Sequence, residues 1–69
     1  MTTPAASATA RLEDIAGGGV RVRRTVAPAY TLSDGALAKA EADVLCGGVQ
    51  SSIYDRFEAG SWVFVEGCA

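Results

Sequence analysis

Histidine is absent from this 69-residue chain, and cysteine is limited to two residues. Without an imidazole, a cysteine nucleophile would lack its usual base, and two thiols without further ligands make a poor zinc site. The eight carboxylates form no recognisable acid–base pair along the sequence. The triple glycine at 17–19 lacks the Lys-Ser/Thr that follows the glycines of a phosphate-binding loop. The sequence therefore predicts no catalytic residue, no cofactor and no metal ion.

Long apolar runs and a basic leader segment are also missing. No stretch approaches the roughly 20 apolar residues of a membrane span, and residues 1–19 lack the basic start and apolar centre of a signal peptide. We therefore expect synthesis in a reducing cytoplasm, with Cys46 and Cys68 as buried thiols rather than a disulfide. A net charge of −2 argues against a general nucleic-acid binder.

The short chain limits the core that the protein can build. Sixty-nine residues amount to one domain, and a domain of this size buries only roughly 60% of the surface that its unfolded chain exposes. Disulfides, metal ions or oligomerisation usually supply the missing stability. With neither of the first two expected, the sequence predicts a homo-oligomer or a domain that docks on a partner.

Residues 1–19 have the composition of an extended N-terminal arm, because they are small and polar and end in three glycines. Within this arm, residues 10–16 could form one or two helical turns, with Leu12 and Ile15 on one side. An isolated helix of that length is marginal in water. The arm is therefore expected to become ordered only where it lies on another surface.

Residues 20–69 have the composition of a small β-rich domain, which opens with a strand at 20–26 (VRVRRTV). Alternation predicts that the valines face one way while Arg21 and Arg23 face the other. Pro28 ends the strand because it cannot donate to a β-ladder. The run of arginines indicates an ionic contact with an acidic partner surface or with phosphate or, equally, an edge strand that charge keeps soluble.

Two turn signals, Asp34-Gly35 and Ala59-Gly60, divide the rest of the chain. Asp-Gly between apolar segments is a strong hairpin signal, since both central residues of a type I′ turn need φ > 0. The segment 61–66 (SWVFVE) follows the second turn and is too rich in β-branched and aromatic residues to favour a helix. This half of the chain is therefore predicted to contain strands.

Residues 36–45 (ALAKAEADVL) carry conflicting signals. Their strong helix formers favour a helix of about ten residues, with Ser33 or Asp34 at its N-cap and Gly47 beyond its end. In the competing interpretation, residues 36–40 form a short strand that follows the Asp-Gly turn. The residues themselves leave both alternatives open.

The predicted elements between residues 30 and 67 occur in a particular order. A strand and an Asp-Gly turn come first, followed by a short Ala/Lys strand that ends in an Ala-Asp loop. A strand with glycines, an Ala-Gly turn and a V-x-V-x-G strand complete the series. These pieces lie at residues 32–40, 42–43, 47–49 and 58–67. Their order resembles that in the small β-barrel domain of phage head-decoration (capsid cement) proteins. The resemblance covers about half of the chain.

The resemblance implies a mainly β fold: a small β-barrel or β-sandwich-like domain at 20–69 with an extended arm at 1–19, completed by oligomerisation as a trimer. It also implies a structural virion protein that sits on the outside of an assembled phage capsid, binds the major capsid protein and cements neighbouring subunits. Such a protein is made in the bacterial host cytoplasm and ends on the capsid surface of the virion. It is not an enzyme and requires neither nucleic acid nor a membrane.

Nine side chains are candidates for the interface of such a protein. Trp62 and Phe64 share one strand face, where aromatic residues could anchor a subunit contact or form part of the core. The arginines offer ionic contacts, and the two aliphatic residues of the arm could lie on a capsid surface. The predicted interface residues are Leu12, Ile15, Arg21, Arg23, Arg24, Tyr54, Phe57, Trp62 and Phe64.

A second interpretation belongs to a different class of protein. Leu37, Glu41, Leu45 and the Gly47-Gly48 pair have the spacing of a double-glycine leader. The chain would then be the precursor of a ribosomally made, modified secreted peptide, with a core at 49–69. This alternative requires residues 36–45 to be helical. Residues available for a thioether crosslink in the released peptide would be Ser51, Ser52, Ser61 and Cys68.

Overall fold

The computed structural model describes residues 9–69, in which four antiparallel strands form a sheet and one α-helix packs on one face of it. The spatial order of the strands is β1-β2-β4-β3. The sheet agrees with the expected β-rich class, while the helix makes the domain a mixed, two-layer one rather than a clear barrel. The elements are β1 (Ala10–Asp14), β2 (Val20–Arg24), α1 (Gly35–Cys46), β3 (Arg56–Glu58) and β4 (Ser61–Phe64).

The expectation of helical turns at 10–16 is wrong, because residues 10–14 form strand β1. Residues 10–14 pair with β2 instead, in a register that sets Leu12 opposite Val22. Gly17 and Gly18 adopt φ angles of 88° and 89°, which reverse the chain between the two strands. Pairing prevails because a helix this short gains little without tertiary contacts. The expected arm thus contributes a strand to the sheet, and its remaining part, residues 1–8, lies outside the described residues.

Strand β2 matches the predicted alternation. Val20 and Val22 are buried beneath the helix, whereas Arg23 is exposed on the opposite face. The strand ends at Arg24, two residues earlier than expected. Because β2 pairs with β1 on one side and β4 on the other, its valines lie at the centre of the core rather than at an edge.

The Ala59-Gly60 turn signal is confirmed by the structure. These two residues join β3 to β4 with φ angles of 47° and 84°, the positive values that a two-residue hairpin turn needs. The hairpin sets Phe57 opposite Trp62, with their ring centroids 5.9 Å apart. A cross-strand aromatic pair of this kind stabilises a short hairpin.

Helix α1 settles the conflict over residues 36–45 in favour of the local helix propensity. Asp34-Gly35 is therefore the start of a helix and not a hairpin turn, and the strand at 36–40 that the resemblance required is wrong. A short 3-10 turn at Leu32–Asp34 precedes the helix, and Asp34 Oδ2 accepts a hydrogen bond of 2.8 Å from the Thr31 N–H in the capping box of that turn. At the other end, Gly47 takes a left-handed conformation (φ 73°) and donates to the Asp43 carbonyl.

Helix α1 lies on the sheet through small residues. Ala38 and Ala42 are completely buried, which allows the helix to approach the sheet closely. At the N-terminal end of the helix, Gly35 lies against the indole of Trp62, where a Cβ would come within 3.2 Å of the ring. The buried core cluster of the described residues comprises Ala10, Val20, Val22, Tyr30, Ala38, Ala42, Val49 and Phe64.

Cys46 and Cys68 form a disulfide, contrary to the expectation of two buried thiols. The bridge ties the last residue of α1 to the C-terminal end of the chain. Val49 and Cys68 form an isolated antiparallel β-bridge just beyond the helix, which brings the two cysteine Cα atoms to 5.9 Å, a normal separation for a disulfide. No local sequence signal indicates this pairing, because the two residues lie 22 positions apart.

The segment between the helix and the β-bridge is held by Asp43. Its Oδ1 accepts a hydrogen bond of 2.7 Å from the Val49 N–H, and its Oδ2 lies 3.1 Å from Lys39 Nζ. The backbone hydrogen bond, followed by the lysine, holds the pKa of the Asp43 carboxyl below its usual value. This carboxylate therefore connects the end of α1 to Val49, the partner of Cys68 in the β-bridge.

Candidate functional site

The sheet face opposite α1, called here the arginine face, is built by strand alternation. Every second residue of β1, β2, β3 and β4 points away from the helix, and the register aligns these residues across the four strands. Four of the six cationic residues of the chain fall on this face. Its members are Arg11, Glu13, Arg21, Arg23, Arg56, Glu58, Ser61 and Val63.

The arginine face differs in charge from the rest of the molecule. Four arginines against two glutamates give it a net charge of +2. The two other cations, Arg24 and Lys39, stand against six carboxylates, so the remaining surface carries −4 and the chain as a whole −2. A protein that is acidic overall thus presents one basic surface, which favours an acidic partner on that side.

Two ion-pair groups organise the arginine face. Glu58 lies between Arg56, at 2.6 Å, and Arg21, at 3.5 Å, and the Arg56 hydrogen bond is the main reason that the pKa of Glu58 is lowered. Arg23 pairs with Glu13 at 3.2 Å. These pairs are solvent-exposed and contribute little to folding stability. They do keep the guanidinium groups oriented outward across the sheet.

Two shallow cavities open on the arginine face. The smaller, of about 220 Å³, lies between Arg21, Arg23 and Glu58. The larger, of about 420 Å³, lies at the Ala10/Arg24 end of the β1–β2 pair and includes Arg11, Arg23 and Arg24 among its lining residues. Both reach Ser61 at the start of β4, so they share one wall of the sheet.

Arg24 differs from the other arginines because its strand position points to the helix side. Its Cζ lies 5.9 Å from the centroid of the Tyr30 ring, a cation–π distance. Tyr30 is buried and its hydroxyl donates to Glu41 Oε1. Burial, together with that hydrogen bond, raises the pKa of the Tyr30 hydroxyl well above its usual value. Arg24 is thereby packed at the border between the core and the larger cavity.

The structure separates the nine predicted interface residues into three groups. Arg21 and Arg23 lie together on the arginine face, and Arg24 reaches the same region from the strand end. Tyr54 is 70% exposed in the loop before β3. The remaining five belong to the helix side of the sheet or to the turn after β1 and are half-buried or buried, namely Leu12, Ile15, Phe57, Trp62 and Phe64.

The sequence left open whether Trp62 and Phe64 anchor a subunit contact or form part of the core. Phe64 is only 3% exposed and lies in the core cluster. Trp62 is half-buried against that cluster, and its Nε1–H donates to the Thr31 carbonyl at 3.2 Å. These contacts are made within the chain, and both side chains therefore stabilise the domain itself.

Several exposed residues were not among the predicted interface residues. Arg11 and Arg56 join the arginine face only through strand pairing, and the alternation in ARLED was the one signal that could have found Arg11. On α1, Leu37 and Val44 lie two turns apart and remain 43% and 58% exposed. Ile53, next to Tyr54, is 90% exposed.

Within residues 9–69 there is no group of three or more Cys, Asp or Glu side chains that could hold a metal ion. The same residues include no helix that is long and apolar enough to cross a membrane. Comparisons with protein-family models, curated proteins and solved structures found no match for the chain. Its function must therefore be inferred from the surfaces that the fold presents.

Proposed function

We propose that this chain is a structural virion protein that binds the outside of an assembled phage capsid and cements neighbouring capsid subunits. It acts by contact, without catalysis, and its partner is the major capsid protein. The observation that carries the proposal is the presence of two unlike contact surfaces on opposite layers of a very small domain. One is the arginine face of the sheet, and the other is the outward side of α1.

The arginine face supplies the contact with the capsid. A surface of net charge +2 on a chain of net charge −2 orients the molecule toward an acidic partner and speeds its encounter with it. Arginine is also well suited to interfaces, because its planar guanidinium binds carboxylates through two parallel hydrogen bonds. Arg21 and Arg56, which share Glu58, are the pair that an acidic capsid side chain would engage.

The outward side of α1 supplies the contact with another copy of the chain. Leu37 and Val44 are exposed there, with the exposed Ala40 between them. Exposed apolar side chains that lie together mark interaction surfaces. Edge strands β1 and β3 offer further unpaired backbone for association. A homo-oligomer such as a trimer would complete the small β-rich domain, and the sheets of several copies would then close a barrel-like assembly.

The disulfide supports a location on the virion surface. Disulfides persist on virion and cell surfaces but are rare in the cytosol. A chain made in the bacterial host cytoplasm would close the Cys46–Cys68 bridge after release from the reducing interior. The bridge then stabilises the domain in the environment where a decoration protein has to remain attached.

The packing around Gly48 supports this function over that of a double-glycine precursor. The helix that a leader requires is present, but Val49 is only 6% exposed and shares the core with residues of β2. Cleavage after Gly48 would place β2 and β4, which pair with each other, on different fragments. A leader that is removed has no reason to supply six of the eight residues of the core cluster.

The test is sedimentation of the purified chain with capsids of the phage that encodes it, assembled without the chain. We expect the wild-type protein to pellet with the capsids and the variant with Arg21→Gln and Arg56→Gln to bind at least about tenfold more weakly, since two charge-assisted contacts are lost. Binding should also weaken as salt is raised. Lys39→Gln is the control for loss of a cation elsewhere, because Lys39 lies on α1 rather than on the arginine face. It removes one positive charge where the arginine variant removes two, so the losses are compared per charge.

A wild-type chain that stays in the supernatant at saturating capsid concentration would overturn the proposal. A loss in Lys39→Gln that equals, per charge removed, the loss in the arginine variant would show that net charge, and not the arginine face, controls binding. Circular dichroism of each variant before sedimentation establishes that the folded domain is being compared.

A further inference from the structure

We propose that the larger cavity of the arginine face, here called the phosphate cavity, is a binding site for a phosphate group. Its charged walls are Arg11, Arg23 and Arg24, and the hydroxyl-bearing residues Thr25 and Ser61 complete its polar lining. This inference is independent of capsid binding, which involves Arg21 and Arg56 on the same face.

The size and charge of the phosphate cavity suit a small anionic ligand. Its volume of about 420 Å³ falls in the range of small-molecule sites. Among the described residues, three guanidinium groups line it and no carboxylate does. The two other described lining residues are alanines, so every polar side chain described in the lining can donate a hydrogen bond.

The strand register places two like charges side by side at this cavity. Arg11 of β1 lies directly opposite Arg23 of β2, and like charges in a cross-strand pair destabilise a sheet. Arg23 is partly compensated by Glu13 at 3.2 Å. Arg11 has no ion-pair partner among the described residues. A bound anion would turn this repulsion into attraction.

Arg24 provides a second, independent indication. Its Nε atom is buried and has no hydrogen-bond partner within the described part of the chain. A buried N–H without an acceptor costs free energy. The guanidinium is also packed 5.9 Å from the Tyr30 ring centroid, which limits its freedom to turn toward solvent. Arg24 therefore brings to the cavity a guanidinium that forms no ion pair among the described residues.

Phosphate matches this donor set better than a single carboxylate does. A phosphate carries nearly two negative charges and several acceptor oxygens, which can bind more than one arginine fork together with hydroxyl donors. The volume leaves room for a small organic group attached to the phosphate. Inorganic phosphate and a phosphate monoester share the chemistry that the cavity recognises, and the titration distinguishes between them.

The experiment is calorimetric titration of the full, disulfide-bonded chain with inorganic phosphate and, separately, with glycerol 3-phosphate at low ionic strength. We expect saturable binding at one site per chain, with the tighter ligand identifying the source of the phosphate group. Arg11→Gln and Arg24→Gln should each weaken binding about tenfold, the loss expected for one charge-assisted contact. Arg56→Gln, on the same face but outside the cavity, should bind as the wild type does.

A melting experiment separates a binding role from a structural one. Without phosphate, Arg11→Gln should melt at a temperature equal to or above that of the wild type, because it removes the repulsion of Arg23. With phosphate, the wild type should gain thermal stability by mass action, while Arg11→Gln should gain much less. The comparison of wild type with Arg11→Gln remains valid even if Arg24→Gln fails to fold.

Three results would overturn the inference. One is the absence of saturable binding of either ligand to the wild-type chain. Another is an equal loss of affinity in Arg11→Gln and Arg56→Gln, which would indicate general attraction to a basic face. The third is a phosphate-dependent rise in melting temperature that is the same in Arg11→Gln as in the wild type. The capsid proposal would survive any of them, because its variants lie outside the cavity.

Discussion

Replacing Phe64 with alanine is expected to destabilise the domain by about 3–5 kcal/mol, the usual cost of removing a buried aromatic side chain. Phe64 is 3% exposed, belongs to the core cluster and lies on β4, one of the two central strands of the sheet. At the usual stability per residue, a 69-residue domain has roughly 3–10 kcal/mol in total. The variant should therefore be largely or wholly unfolded, as measured by chemical denaturation monitored by circular dichroism.

Tyr54→Ala is the matched control for Phe64→Ala. Tyr54 is 70% exposed, so removing its ring should change the free energy of unfolding by no more than about 0.5 kcal/mol. The two aromatic residues were both predicted as interface residues, and only the structure separates them. Comparable destabilisation by the two substitutions would contradict the placement of Phe64 in the core.

Reduction of the Cys46–Cys68 bridge is expected to lower the free energy of unfolding by about 3 kcal/mol, the chain-entropy estimate for a loop of this length. The cysteines are 22 positions apart, and the bridge closes a loop that contains β3 and β4. The oxidised chain should therefore melt well above the reduced one in parallel thermal scans. In a domain this small, the bridge takes part of the role that oligomerisation alone was expected to fill.

The control for the disulfide is the double variant Cys46→Ala, Cys68→Ala. Its melting temperature should match that of the reduced wild type and should not respond to a reductant. If the wild-type chain melts at the same temperature with and without the reductant, the bridge does not constrain the unfolded state. The interpretation of the disulfide as a main source of stability would then be wrong.

Elements governed by short-range rules were predictable from the sequence. Alternation in VRVRR predicted the two faces of β2, and the positive φ values required of a tight turn marked Ala59-Gly60. In both cases the signal and the structure it specifies lie within a few residues. The helix was predicted only in part: propensity favoured it, while the 3-10 turn at Leu32–Asp34 that leads into it, with its Thr31–Asp34 capping box, is visible only in the structure.

Elements that depend on distant partners were not predictable from one sequence. Residues 10–14 satisfy both a helical and an alternating pattern, and only their pairing with β2 decides between the two. The disulfide depends on the bridge between Val49 and Cys68. The arginine face was visible in part, since Arg21 and Arg23 stood out, but Arg11 and Arg56 join it only through strand register.

The most direct test of the proposed function is the intact mass of the chain recovered from its native source, in material that sediments with large particles. We expect a full-length chain in the capsid-sized fraction, two mass units lighter than the reduced chain because Cys46 and Cys68 are joined. A soluble fragment that begins at Val49 would contradict the account and identify the chain as a cleaved precursor.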